Sequence, residues 1–250
     1  MSETLRLLMP QWQGGNNPPY FFGARLLSWL APSVSEAVEA EVPVEPYLGT
    51  ELPMEKRVVA RTALLNQLKS ATRIIESHRP ERIITFGGDC LVSQAPFAYL
   101  NEKYGGNLLG GGDPEFAAEV QVPLKRELVM YGGLQKTTSQ EAEVVERLNI
   151  PIAGADELAV SSSSVLDWLR RKRIRHLAVH LDLDVLDPAL FRSLLFAKPE
   201  GGIIDSSRGT MTFAQISRLI QDIARETDIV GFTLAEYLPW DALNFHDFFK

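Results

Sequence analysis

Residues 176–188 have the sequence HLAVHLDLDVLDP, a run that begins as an apolar strand and ends in three acids, Asp182, Asp184 and Asp187. Side chains on a strand alternate between its two faces, so His180, Asp182 and Asp184 are predicted to point the same way. Two carboxylates this close on one face repel each other unless a positive group lies between them. A divalent cation is the simplest such group, and oxygen ligands suit Mn²⁺ or Mg²⁺. The alternative is a solvated acidic turn that closes a buried strand at the final Asp-Pro pair.

Composition and charge exclude several classes of protein. The chain has 250 residues, of which 45% are hydrophobic, and this is enough for one large α/β domain. The net charge of −7 argues against nucleic acid or an anionic membrane as a partner. The sequence has no apolar run of transmembrane length, and its N-terminus lacks the features of a signal peptide. The single cysteine, Cys90, excludes an internal disulfide and is typical of a reducing cytoplasm, which is the expected location.

Strands alternate with helices along the chain. This order predicts a single α/β domain over residues 1–250, with helices on both sides of a mostly parallel sheet. Strands are predicted at 5–9, 36–44, 82–86, 127–131, 150–153, 176–187 and 228–235. Helices are predicted at 21–30, 56–77, 91–102, 139–148, 165–173, 212–227 and 240–250, with Thr212 as an N-cap.

A second candidate site lies where the strand at 82–86 meets the following helix, at Gly87-Gly88-Asp89-Cys90. Two glycines allow a sharp turn and a close approach of the backbone to a bound group. Sites in open α/β sheets gather at the carboxyl ends of strands. The alternatives are a plain turn for the Gly-Gly-Asp sequence and a small buried apolar side chain for Cys90.

These motifs resemble those of a known enzyme family. The run from His180 to Pro188 resembles the S-x-D-x-D-x-x-D-P signature of the ureohydrolases, which include arginase, agmatinase and formiminoglutamase. His180 stands where that family has Ser. Gly87-Gly88-Asp89 resembles the start of the family's G-G-D-H motif, with Cys90 in place of its metal-binding His. Glu236 resembles the Glu of an E-x-x-P pattern at the end of the family's last strand.

The resemblance implies an arginase-like three-layer α/β/α domain and a function. It implies a metal-dependent hydrolase of a guanidino or formimino C–N bond that acts by metal-activated hydroxide on a small-molecule substrate, in a homo-oligomer. Glu236 would bind the substrate cation. The implied metal ligands are Asp182, Asp184 and Cys90, and the implied outer or additional ligands are His180, Asp89 and Asp187. A thiolate is softer than imidazole and favours Zn²⁺ or Fe over Mn²⁺.

One family element is absent from the sequence. The strand ending in D-A-H-x-D, which supplies three metal ligands in ureohydrolases, has no counterpart, and the apparent junction lies near residues 105–110. Either the chain lacks this strand, or the strand belongs to the natural chain and is absent from the sequence as written. We favour the second explanation, because the first removes a core strand of a parallel sheet.

The two explanations predict different cofactors. With the segment present, two Mn²⁺ ions are expected. Without it, one ion or none is expected, and the alternative is a non-catalytic, metal-poor relative that acts as a binding or structural protein. A nucleotide-binding α/β protein is disfavoured, because no phosphate-loop motif is present.

Overall fold

The computed structural model describes residues 3–105, 125–134, 139–199 and 208–248. The predicted junction near 105–110 therefore lies largely outside the described residues. The strands are β1 (Thr4–Met9), β2 (Val38–Glu41), β3 (Met54–Glu55), β4 (Val58–Val59), β5 (Arg82–Gly87), β6 (Tyr131–Gly132), β7 (Ile152–Ala153), β8 (His176–Asp182) and β9 (Asp228–Ala235). The α-helices are α1 (Pro19–Leu30), α2 (Arg61–His78), α3 (Gln94–Lys103), α4 (Ser139–Leu148), α5 (Ala155–Val160), α6 (Ser163–Lys172), α7 (Phe213–Glu226) and α8 (Trp240–Phe248). Short 3₁₀ turns occur at Cys90–Ser93, Arg126–Leu128, Leu183–Val185 and Leu195–Ala197.

Within the described residues, the central sheet has five parallel strands in the order β2-β1-β5-β9-β8. The last strand in the sequence, β9, lies between β5 and β8. The register pairs Met9 with Gly87 and Asp182 with Ala235, so the strands end together at one edge of the sheet. The three-layer α/β/α architecture with a mostly parallel sheet is confirmed. The sequence motifs after β5, β8 and β9 consequently meet at this edge.

The helices bury apolar stripes against the two faces of the sheet. Helix α2 places Leu68, Ala71 and Ile75 against Leu5 and Leu7 of β1. On the other side, helices α5, α6 and α7 pack in a second core, to which α7 contributes three side chains at helical spacing, Ile216, Leu219 and Ile223. Each such side chain contributes roughly 2 kcal/mol by leaving water. The edge that carries the motifs is thus supported by packed layers.

Several predicted boundaries are corrected by the structure. Helix α2 begins at Arg61 and not at residue 56, because residues 54–59 form the β3-β4 hairpin. The strand predicted at 127–131 is replaced by a 3₁₀ turn, followed by the two-residue strand β6, which pairs with β7 in a separate parallel pair. The strand predicted at 36–44 is limited to β2. A strand extends only as far as its neighbour pairs with it, and the sequence does not show that length.

The N-terminal cap of α7 agrees with the sequence prediction. Thr212 caps α7 as predicted: its hydroxyl accepts from the Gln215 backbone N–H, and the Gln215 side chain accepts from the Thr212 N–H, so a full capping box is present. None of the helices in the described ranges combines the length and the hydropathy needed to cross a membrane.

Candidate metal and substrate site

The turn after β5 is joined to the loop after β1. The Asp89 N–H donates to the Gln11 carbonyl at 2.9 Å, and a side chain at Gly88 would collide with that same carbonyl. Glycine is therefore required here by close approach of two backbones. The Glu236 N–H donates to the Gly88 carbonyl at 2.8 Å, so the end of β9 is fixed to the same turn.

Asp89 organises this turn from inside. Its buried carboxylate accepts from Gln11 Nε2 at 2.8 Å, from the Gly14 N–H at 2.8 Å and from the Leu91 N–H at 3.0 Å. Burial raises the pKa of Asp89 to about 6, and these hydrogen bonds partly oppose the rise. Both carboxylate oxygens are thus occupied by the surrounding loop. Asp89 positions its neighbour Cys90 and the 3₁₀ turn that follows.

Cys90 faces two carboxylates. Its Sγ lies 3.2 Å from Asp182 Oδ2 and 3.4 Å from Glu236 Oε1. The residue as a whole is exposed, so the alternative of a buried apolar cysteine is wrong. Withdrawal of the sulfur from water, followed by the charge of Asp182, raises the pKa of the thiol. Without a cation the sulfur keeps its proton and donates a hydrogen bond to the acids.

His180 lies one step below Asp182 on the same face of β8. Its Nδ1 is 2.6 Å from Ser93 Oγ, which belongs to the 3₁₀ turn that begins at Cys90. Burial lowers the pKa of His180, and the charge of Asp182 opposes this effect. A neutral imidazole is the form that binds metals. One donor atom from each of Cys90, His180 and Asp182 lies within 4.8 Å of the other two.

The sequence predicted that Asp182 and Asp184 lie on one face of a continuous strand, and the structure corrects this prediction. The strand ends at Asp182, whose Oδ1 accepts from the Asp184 N–H at 2.8 Å and starts a 3₁₀ turn. Asp184 therefore lies in the 3₁₀ turn and is not one of the three donors Cys90, His180 and Asp182. Its Oδ1 is buried with no hydrogen-bond partner in the described parts of the chain. Burial, and then the charge of Asp182, raise its pKa to about 7. Asp187 uses its carboxylate to accept from the Ala189 N–H at 2.8 Å, as a turn residue does.

Glu236 follows β9 with a left-handed backbone, at φ 68°. This conformation is uncommon for residues other than glycine and is frequent at functional sites. Burial raises the pKa of Glu236 to about 7, with a partial offset from a hydrogen bond to the Cys90 backbone. No basic side chain in the described ranges contributes to this pKa. A buried carboxylate in this position is suited to bind an external cation.

Comparisons with known proteins support the fold. No protein-family profile matches the sequence, and no curated protein matches it. An arginase from Entamoeba histolytica, solved in complex with L-ornithine, is similar in structure, with a TM-score of 0.76 at 13% identity over 96% of this chain and 92% of that chain. The arginase from Bacillus caldovelox has a TM-score of 0.72 at 16% identity, again over 96% and 92%.

The chain has the arginase fold.

The fold extends to another amidino hydrolase. Proclavaminate amidinohydrolase from Streptomyces clavuligerus is similar, with a TM-score of 0.65 at 16% identity over 96% of this chain and 84% of that chain. The arginase-like fold expected from the sequence motifs is therefore confirmed. Likeness at this level of identity describes the backbone, and the chemistry has to be argued from the side chains of this chain.

A pair of manganese ions does not fit the described residues, which supply a single group of three ligands that includes a sulfur. Mn²⁺ prefers carboxylate, carbonyl and water oxygens. A single divalent ion does fit. The unpartnered Oδ1 of Asp184, two residues beyond Asp182, is the kind of buried acceptor that a cation stabilises.

Two residues at this edge of the arginase fold were not predicted from the sequence as site residues. Gln11 lay in a Gly/Asn/Pro loop with no signal of a role, and only its contact with Asp89 reveals one. Ser93 lay within a predicted helix. Its spacing of three residues from Cys90 places both on one side of a helical turn, and this spacing could have suggested a shared site.

Proposed function

We propose that the chain is a metal-dependent hydrolase that cleaves a C–N bond of a guanidino or formimino compound. The observation that supports this best is the convergence of Cys90, His180 and Asp182, with Glu236 beside them, at one edge of an arginase-like sheet. We also propose that residues 1–250 act as one domain, because this edge draws on segments from Gln11 to Glu236.

The protein groups have distinct proposed roles. Cys90, His180 and Asp182 would hold one divalent ion, and Asp184 supplies a further carboxyl whose Oδ1 has no partner among the described residues. An ion held by these residues would supply hydroxide at neutral pH by lowering the pKa of its bound water. Asp89 holds the turn that carries Cys90.

Glu236 binds the planar cation of the substrate. Guanidinium and formiminium groups present parallel N–H donors that match the two oxygens of a carboxylate. Such a cation supplies the positive charge that the buried Glu236 lacks in the described structure. Hydrolysis adds water across the C–N bond and releases an amine together with urea, or with formamide for a formimino substrate.

The test is product release by metal-loaded protein. The purified chain is stripped with a chelator and reloaded separately with Mn²⁺, the ion implied by the resemblance, and with Zn²⁺, Co²⁺ or Fe²⁺. Urea and formamide are then measured with a panel of guanidino and formimino compounds. Glu236→Gln is expected to reduce turnover by about 100-fold or more, because the cation loses its charged partner. Glu226→Gln, at a surface ion pair with Arg170, is the matched control and keeps activity. Absence of both products with every ion rejects the proposal.

The second candidate is a non-catalytic relative. It is favoured by the contact between Cys90 and Glu236, which engages the proposed substrate carboxylate inside the protein. Under this alternative the chain binds one ion or none and releases no urea or formamide. An intact mass clearly above 27.9 kDa would show that the natural chain contains more residues than this sequence, and it would favour the enzyme.

A further inference from the structure

We propose that Cys90, His180 and Asp182 form a mononuclear tetrahedral site that selects Zn²⁺ over Mn²⁺, with its fourth position facing Glu236. This inference uses the same site as the proposed function, but it does not depend on catalysis. It replaces the two-manganese arrangement, which the described residues do not fit.

The spacing of the donor atoms supports a tetrahedral ion. A Zn–S bond of about 2.3 Å and a Zn–O bond of about 2.0 Å, at a tetrahedral angle, place sulfur and oxygen about 3.5 Å apart. In the structure Cys90 Sγ and Asp182 Oδ2 are 3.2 Å apart, and all three donors lie within 4.8 Å of one another. The distance between these two atoms is thus about 0.3 Å shorter than the edge of the required tetrahedron. An ion can therefore replace the thiol proton between them with little movement.

Two neighbouring groups orient the ligands. The Ser93 hydroxyl contacts His180 Nδ1 at 2.6 Å, and we therefore assign Nε2 as the ligand atom. The Asp184 N–H holds Asp182 Oδ1 at 2.8 Å and leaves Oδ2 directed at Cys90. Such outer contacts fix the tautomer of a ligating histidine and the orientation of a ligating carboxylate. His180 and Asp182 are therefore positioned before an ion binds.

Donor chemistry and charge select the ion. A thiolate and an imidazole favour Zn²⁺, whereas Mn²⁺ is the weakest binder of the divalent series and prefers oxygen. One thiolate and one carboxylate balance the two charges of the ion. Glu236, whose Oε1 lies 3.4 Å from Cys90 Sγ, borders the fourth position and remains available for a cation. Three protein ligands with an open position are typical of catalytic zinc sites.

The test is titration of the chelator-treated full-length chain with Co²⁺, which reports on zinc sites by absorption. A thiolate-to-cobalt charge-transfer band and intense tetrahedral bands are expected to saturate at one ion per chain. Because the sequence contains one cysteine, a charge-transfer band can come only from Cys90. Zn²⁺ is expected to remove the bands stoichiometrically. Mn²⁺ is expected to compete at least about 100-fold more weakly, in line with the divalent series.

Variants separate the ligands from their supports. Cys90→Ser is expected to abolish the charge-transfer band. Ser93→Ala is expected to keep the band but weaken Zn²⁺ binding by about 10-fold, because His180 loses its orienting partner. Ser77→Ala, at a helix surface, is the matched control and leaves affinity unchanged. If Cys90→Ser fails to fold, the spectrum of the unmodified chain still decides the question.

The outcomes distinguish this inference from the proposed function. Cobalt bands and tight Zn²⁺ binding without urea or formamide support the zinc site and reject the hydrolase. Hydrolysis with Mn²⁺ and no charge-transfer band supports the hydrolase and rejects the zinc site. Binding of two ions per chain, or Mn²⁺ affinity equal to that of Zn²⁺, also overturns the inference.

Discussion

Replacement of Asp184 by asparagine is expected to stabilise the metal-free protein, and more so as pH rises. The carboxyl has an ordinary pKa of 3.8, and in the folded chain burial and the charge of Asp182 raise it to about 7. Between these values the folded state binds more protons than the unfolded state. The free energy of unfolding therefore falls as pH rises through this window and is constant above it. Asparagine has nearly the same shape and carries no charge.

The size of the effect follows from the raised pKa. From about pH 5 to about pH 7 the unfolded carboxyl is ionised while the folded one keeps its proton, and each pH unit corresponds to about 1.4 kcal/mol. Two units correspond to about 2.7 kcal/mol. Because Asp184 is partly exposed, screening by water reduces the expected difference to about 2 kcal/mol. The advantage of Asp184→Asn over the parent protein should grow by this amount across the window.

Urea unfolding, monitored by circular dichroism with a chelator present, measures the free energy of unfolding of the parent protein and of Asp184→Asn at each pH. Asp187→Asn is the matched control, since its carboxylate accepts a backbone hydrogen bond in the same turn and asparagine can still accept it. The control should show no growing advantage. A constant difference between parent and Asp184→Asn, or a loss of stability in the variant above neutral pH, would refute the reasoning.

Three other substitutions test the structure by thermal or urea unfolding. Thr233→Val should raise the free energy of unfolding by about 1 kcal/mol, because the Thr233 hydroxyl is fully buried and lacks a partner among the described residues; a lower Tm would contradict this. Gly88→Ala should lower it by roughly 3 kcal/mol, because a methyl group meets the Gln11 carbonyl, and wild-type stability would show that the two loops do not touch. Thr212→Ala should cost about 1 kcal/mol through loss of the capping box with Gln215, whereas Thr212→Ser should retain it.

The sequence predicted the edge of the sheet that carries the candidate site but not the direction of each acid there. The period of two holds along β8 up to Asp182 and fails at Asp184. The cause is local: the Asp182 carboxylate accepts the N–H two residues ahead, and this bond competes with continuation of the strand. Aspartates in a D-x-D pattern can form such turns themselves, so strand alternation should not be extended through them.

The start of α2 was missed for a related reason. The β3-β4 hairpin turns through Lys56 and Arg57, both with positive φ, and neither residue is a usual signal of such a turn. Ala60, also with positive φ, then precedes the helix. The apolar spacing that indicated a helix from residue 56 includes Val58 and Val59, which belong instead to β4. Hydrophobic periodicity located the helix body correctly but could not locate its first turn.

The position of β9 has a consequence for synthesis of the chain. The ribosome makes the chain from its N-terminus to its C-terminus. Strand β9 is therefore the last described strand to be made, yet it lies between β5 and β8, which are made earlier. Within the described sheet, β8 has no neighbour until β9 emerges, and Glu236 follows at once. A product truncated before residue 228 would leave two unpaired strand edges, a target for aggregation or degradation. Strands β2, β1 and β5 can pair before β9 is made, but completion of the sheet and of the candidate site are one late event.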